Sequence, residues 1–249
     1  MGGDMAIVRK ITIGVAPFAK MFRVSSQGGA TVDALLRLRT KNLADDYFEE
    51  VGSDAERKNF RIMKSDYSNV VQITEDAITF TKDFYVSGGS YDFGKFIAEF
   101  KIVWNAINKT MAVHDIRRIG IVAEYRYEVD ANKPSRWLRE KLTTLKTQRI
   151  TEKFHLRFEE REFASDGNAP DPQKSDFINY IYAYYDGAMD GQHVQPGALN
   201  ATLDVQRYFT PVHNGDVADE VQKIYKHFVA AEKTLDGHLK SLGAANGKK

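Results

Sequence analysis

Hydrophobic and polar residues alternate along the stretch RRIGIVAEYRYE, residues 117–128. Because successive side chains of a β-strand point to opposite faces, this alternation predicts a strand with two unlike sides. The apolar side consists of Ile119, Ile121, Ala123, Tyr125 and Tyr127. The opposite side is largely charged, so the pattern predicts a sheet that is covered on one face and polar on the other.

The same two-residue period predicts strands elsewhere. A hairpin is predicted over residues 69–84, with Glu75 and Asp76 in its turn. Three later strands are predicted over residues 153–163, 176–187 and 198–209.

The first third of the chain is also interpreted as strands. Residues 10–18 and 34–41 have short β-type patterns, and the Gly28-Gly29 pair between them is typical of a turn. Residues 43–60 are acidic and polar, which favours a loop or a short helix.

Helical spacing appears in three places. Apolar residues recur every three or four positions between Phe93 and Ile107. A short helix is predicted to start near Pro134, and a long one near Asp216 that continues to residue 242. Strands joined by short turns pair antiparallel, so we expect an α+β fold: a large, mainly antiparallel sheet with long helices packed on one face.

We expect a single domain over residues 1–242, with a possible subdomain division near residues 130–135 and a flexible tail at residues 243–249. The segment MGGDMAIVRKITIG has no apolar run of signal-peptide length, and no run approaches the roughly 20 residues that cross a bilayer. The expectation is a soluble, cytoplasmic protein that makes no membrane contact.

Composition and motifs exclude several kinds of chemistry. There are no cysteines, which excludes disulfides, thiolate metal sites and a cysteine nucleophile. The 35 basic and 34 acidic residues nearly cancel, so the overall charge does not favour nucleic acid as a partner. The six histidines lack metal-site spacing, and no nucleotide-binding or nucleophile motif occurs. We therefore expect no metal and no cofactor.

One anion site is predicted from the sequence. Gly88, Gly89 and Ser90 precede the first long helix, where backbone N–H groups at the helix N-terminus favour an anion. Any turn from a strand to a helix could use the same residues.

The main candidate site is the polar side of the predicted sheet. If the apolar sides of all strands face the helices, their other sides form one shared surface. Its candidate binding residues are Glu124, Arg126, Glu128, His155, Arg157, Glu159, Tyr182, Asp204 and Gln206. Tyrosine and arginine are the residues that anchor protein interfaces. Opposite charges paired across strands would also explain the pattern, because they stabilise a sheet by about 0.2–1 kcal/mol each.

The order of elements around RRIGIVAEYRY, residues 117–127, resembles a sporadically distributed group of uncharacterised bacterial proteins of about this length. Their best motif is an R-I-G-hydrophobic strand, which here is Arg118 to Ile121. Where that family continues through an aromatic residue to asparagine, this chain has Ala123, Glu124 and Tyr125. The resemblance covers roughly residues 60–240 and implies a bacterial, cytosolic protein with no established catalytic residues.

Three functions remain open at this point. We expect a non-enzymatic binding or protein-interaction protein that uses the polar sheet surface, or that self-associates through the C-terminal helix at residues 216–242. The second candidate is a divalent-metal-dependent hydrolase or nuclease. It would use strand carboxylates among Glu124, Glu128, Glu159 and Asp204. Nucleic-acid binding is third.

Overall fold

The computed structural model describes residues 7–38, 43–56, 58–84, 91–128, 134–144, 146–149, 153–163, 175–186 and 198–241. The strands in these ranges are β1 (Ile7–Pro17), β2 (Glu50–Ser53), β3 (Asn59–Met63), β4 (Asn69–Thr74), β5 (Ile78–Asp83), β6 (Ile116–Glu128), β7 (His155–Phe163), β8 (Phe177–Tyr185) and β9 (Ala198–His213). The helices are α1 (Arg23–Leu36), α2 (Phe93–Met111), α3 (Pro134–Leu142) and α4 (Val217–Ser241).

All nine strands belong to one antiparallel sheet, in the order β2-β3-β4-β5-β1-β6-β9-β8-β7. Helices α2 and α4 cover one face of it with buried apolar stripes. This confirms the predicted fold class. The hairpin of β4 and β5 and the alternation in β6 are confirmed as well.

The sheet consists of two halves with the same arrangement. Each half starts with a central strand, continues through a helix and an antiparallel series of strands, and ends with a long helix. Counting outward from the centre, one half has β1-β5-β4-β3-β2 and the other has β6-β9-β8-β7. Along the chain, the halves meet between Met111 and Ile116. The subdomain division near residues 130–135 stays a prediction.

The helix α1 corrects the interpretation of the first third. Its residues 23–36 include the Gly28-Gly29 pair, which we had assigned to a turn, and the start of a segment assigned to a strand. The buried residues of α1 follow a helical period: Val24, Gly28, Thr31, Val32 and Leu35. The prediction was wrong because two adjacent glycines are typical of a turn in sequence, although here one of them serves packing.

Gly28 lets the helix approach the sheet. A Cβ atom at this position would lie 2.1 Å from the ring of Phe60 on β3, far inside van der Waals contact. A Cβ atom on Gly29 would meet nothing within 4 Å. The segment at residues 43–60 also differs from the prediction, because β2 and the start of β3 extend the sheet there.

The two glycines give a matched pair of variants. We expect Gly28→Ala to lower the free energy of unfolding by about 1–3 kcal/mol, because the methyl group overpacks against Phe60. Gly29→Ala should raise it by about 0.5–1 kcal/mol, since alanine is the better helix former at an open position. Urea unfolding of both variants measures the difference. Equal effects at the two positions would contradict this packing.

No helix among the described residues is both long enough and apolar enough to cross a membrane.

Candidate functional site

The side of the sheet away from the helices is called here the open face. Cross-strand partners share a side, so the pairing of strands identifies its members. One row of partners runs Glu159–Ile181–Asp204–Val122 across β7, β8, β9 and β6. The adjacent row runs Arg161–Asn179–Gln206–Gly120 and continues to Gly14 of β1.

The structure brings most of the predicted surface together. The residues that lie on the open face are Glu124, Arg126, His155, Arg157, Glu159, Asp204 and Gln206. Glu128 ends β6 opposite Ala198, but its side chain is outside the described part of the structure. The proposed anion site at Gly88, Gly89 and Ser90 also lies outside the described residues.

Tyr182 was assigned to the wrong face. It pairs with Leu203, is 2% exposed, and packs against Phe158 and the ring of His238 on α4. Tyr180 and Tyr184 lie on this helix side too, where their hydroxyl groups contact the Nδ1 atoms of histidines on α4. The alternation in β8 could not orient the strand, because both of its sides contain aromatic residues.

Part of the Asp204 carboxylate is buried, although the residue lies on the open face. Its two cross-strand partners are the apolar Val122 and Ile181, and its Oδ1 atom is buried without a hydrogen-bond partner. Burial raises the pKa of Asp204 to about 6, although a hydrogen bond from Gln206 and the charges of Arg118 and Arg157 act in the opposite direction.

A chain of hydrogen bonds uses the other oxygen of Asp204. The Arg118 guanidinium donates to the Tyr208 hydroxyl at 3.3 Å, which donates to Gln206 Oε1 at 2.8 Å. Gln206 Nε2 then donates to Asp204 Oδ2. Because an ionised carboxylate only accepts, the orientation of the Gln206 amide is fixed by its two neighbours.

Asn179 contributes a second acceptor without a donor. Its side chain is buried, with 4% of the residue exposed, and its Nδ2 atom donates to Glu159 Oε2 at 3.1 Å. The Oδ1 atom is buried and has no hydrogen-bond partner. Since Asn179 pairs with Gln206 and Asp204 pairs with Ile181, Asn179 and Asp204 are diagonal neighbours on adjacent strands.

A residue without a side chain lies beside this pair. Gly120 is the partner of Gln206, and a Cβ atom there would lie 3.1 Å from Gln206 Cγ and 3.7 Å from Asp204 Oδ1. On its other side Gly120 pairs with Gly14. The Gln206 side chain already lies against Gly120, since 3.1 Å is closer than an ordinary van der Waals contact.

Other charges of the open face are engaged with each other. Lys10 Nζ lies 3.7 Å from Glu124 Oε1, and Arg157 Nη2 lies 2.7 Å from Glu159 Oε1. Arg161 Nη2 is 3.9 Å from the other oxygen of Glu159. The Lys10–Glu124 pair joins β1 to β6 and fits the predicted pairing across strands, whereas both Glu159 pairs lie within β7. The Asp204 and Asn179 oxygens take part in none of these ion pairs.

The apolar stripe of α4 packs against the rest of the same chain. Val221, Phe228 and Leu235, which form the heptad stripe, are buried at 0%, 1% and 0% exposure. Polar contacts accompany this packing: the Tyr125 hydroxyl donates to Glu232 Oε1 at 2.8 Å and the Tyr127 hydroxyl to Asp236 Oδ1 at 3.1 Å. The apolar stripe therefore packs on the sheet and is not available as a dimer seam.

The proposed carboxylate cluster for a metal is not assembled in the described part of the chain. No group of three or more His, Asp or Glu side chains there could hold a metal ion. Asp204 pairs with Val122 and Ile181, while Glu124 pairs with Thr202 and Lys10, so these two carboxylates occupy different rows.

Sequence reasoning missed Asn179, Arg118 and Tyr208 as parts of the site. Arg118 and Tyr208 could have been found, because both continue the polar side of their strands. Asn179 carried a weaker signal. It is the one amide in a strand of aromatic and aliphatic residues, and such a residue needs a hydrogen-bond partner when it is buried.

No family model matches the sequence, and no curated protein does. Among solved structures, the chain is similar to Methanococcus jannaschii TBP at 9% identity and a TM-score of 0.28, covering 96% of this chain and 99% of that chain. It is also similar to the rolling circle replication initiator protein from Geobacillus stearothermophilus. That match has 10% identity and a TM-score of 0.30, covering 90% of this chain and 79% of that chain. Scores this low carry no argument about function. The family resemblance stays an expectation.

The raised pKa of Asp204 predicts how stability changes with pH. Because the folded protein binds this proton more tightly than the unfolded chain does, the free energy of unfolding falls as pH rises from about 4 to about 6. Asp204→Asn removes this loss. We expect the variant to be more stable than wild type by about 1–2 kcal/mol at about pH 8, and nearly equal at about pH 4.

Urea unfolding at both pH values tests the prediction. Glu124→Gln is the control, because the Glu124 carboxylate has an ion-pair partner in Lys10. Two results would show that burial does not destabilise the ionised Asp204 carboxylate. One is a control variant stabilised as much as Asp204→Asn, and the other is an Asp204→Asn variant less stable than wild type at about pH 8.

Proposed function

We propose that this chain is a binding protein that holds another protein on the open face of the sheet half formed by β6, β9, β8 and β7. The observation that carries the proposal is the pair of buried acceptor oxygens, Asp204 Oδ1 and Asn179 Oδ1, to which no residue that the structure describes donates a hydrogen bond. Buried acceptors cost free energy when they have no donor, so their presence on a face outside the helical layer favours a partner that completes them.

The remainder of the face supports a protein partner over a nucleic acid. Phosphate binding needs cations that are not already neutralised. Here Arg157 and Arg161 both lie near Glu159, and Lys10 lies near Glu124. A face of paired charges, amides and aromatic rings has the composition of the polar part of a protein interface.

Photocrosslinking at two neighbouring positions of β7 tests this function. Arg161 and Glu160 are both exposed, but Arg161 lies on the open face and Glu160 on the helix side. We expect a p-benzoylphenylalanine residue at position 161 to give a discrete crosslinked protein in cells of the native host. The same residue at position 160 should not give it.

Nuclease treatment of the adducts separates the classes of partner. The proposal is supported if the adduct from position 161 withstands nuclease and is degraded by protease. Nuclease-sensitive adducts, or identical adducts from positions 160 and 161, would contradict it.

A further inference from the structure

We infer that the open face contains a built site for a cationic N–H donor, centred on Asp204 Oδ1 and Asn179 Oδ1, and that a lysine or arginine side chain of the partner fills it. This inference deepens the proposed function, on which it rests, by naming the chemistry of the anchoring group. It concerns two oxygens that the fold itself leaves without hydrogen bonds.

The ligand must donate, because an acceptor oxygen is satisfied only by a donor. Gln206 Nε2 is bound to the other oxygen of Asp204, and Asn179 Nδ2 is bound to Glu159. The Tyr208 hydroxyl proton goes to Gln206 Oε1. A ligand that brought only acceptors, such as a phosphate or a carboxylate, would add to the excess of acceptors.

The two oxygens belong to diagonal neighbours on adjacent strands, whose Cβ atoms are typically about 7–8 Å apart. The inferred site therefore calls for a donor group with several N–H bonds. An ammonium carries three such donors, and a guanidinium carries five in a fixed fork.

Charge favours a cation over a neutral donor. The cations that act on Asp204 are engaged elsewhere, Arg118 with the Tyr208 hydroxyl and ring, and Arg157 with Glu159. The open face of β6 and β7 also carries Glu124, which pairs with Lys10, Arg161, which lies near Glu159, and Arg126 and His155. The Asp204 carboxylate, whose cross-strand partners are the apolar Val122 and Ile181, takes part in neither of these ion pairs.

Gly120 pairs with Gln206 and with Gly14, and a Cβ atom on Gly120 would be 3.7 Å from Asp204 Oδ1. The Asp204 and Asn179 oxygens are buried, so a basic side chain of the partner reaches them by displacing a neighbouring side chain. Arg157, whose side chain is 52% exposed, is one of the charged neighbours of Asp204.

Titration with small probes tests the site without the partner. The probes are N-acetyl-arginine amide and N-acetyl-lysine amide, with N-acetyl-norleucine amide as the uncharged control and spermidine as a free polyamine. We expect the methyl signals of Ile181 and Val122, which flank Asp204, to shift in NMR spectra with both basic probes. The methyl signals of Ile224, buried on the helix side, should stay in place.

Two variants decide whether Asp204 is the anchor. Asp204→Asn keeps the shape of the side chain and should weaken binding of the basic probes by about tenfold or more. Glu232→Gln is the matched control and should bind as wild type does. Glu232 is also an acid whose pKa is raised by burial, but it faces Tyr125 on the other side of the sheet. Binding should also weaken between about pH 7.5 and pH 5, as Asp204 takes up a proton.

The outcomes separate this inference from the proposed function. Saturable shifts with the basic probes that Asp204→Asn abolishes support the site. Tighter binding of spermidine than of both amino-acid probes would assign it to a free polyamine and overturn the partner side chain. Shifts that persist in Asp204→Asn, or no shifts with any probe, would overturn the site. Crosslinking from position 161 would still test the proposed function independently of this result.

Discussion

The antiparallel pairing of β1 with β6 is the constraint on which the rest of the structure depends. These two strands lie side by side at the centre of the sheet and join its two halves, with Ile13 opposite Ile121 and Gly14 opposite Gly120. Their register places the buried apolar residues of both strands, among them Ile13 and Ile121, on the side of the helices. A shift by one residue would bury Glu124 and expose Ile121, so the central pairing also creates the open face.

The open face contains one energetically unfavourable arrangement, and it is confined to Asp204 and its neighbours. Several of its charges form ion pairs, across strands for Lys10 with Glu124 and within β7 for Arg157 with Glu159. Asp204 instead lies between two aliphatic partners, and its raised pKa is the electrostatic measure of that position. A buried acceptor without a donor destabilises the native state, and such local costs concentrate where a protein binds something.

The helix side shows that polarity alone does not assign a residue to a face. Tyr125, Tyr127 and Tyr184 are each 1% exposed, yet each hydroxyl group reaches a charged or histidine side chain of α4. The rings supply apolar area while the hydroxyl groups remain hydrogen-bonded. The last helix is therefore held by an apolar stripe and by polar contacts beside it.

The sequence by itself determined the fold class, the strands with clear alternation and the two long amphipathic helices, because the periods 2 and 3.6 follow from backbone geometry alone. It also determined the faces of β6 and β9, where one side is apolar over residues 119–127 and 199–205. It could not orient β8, since both sides of that strand are aromatic, and Tyr182 was placed on the wrong face. It could not recognise α1 either, because the reason for Gly28 is the ring of Phe60 on a distant strand. Only the tertiary structure decided which side chains became neighbours of Asp204, because burial and hydrogen-bond satisfaction depend on strand order and register, which one strand does not encode.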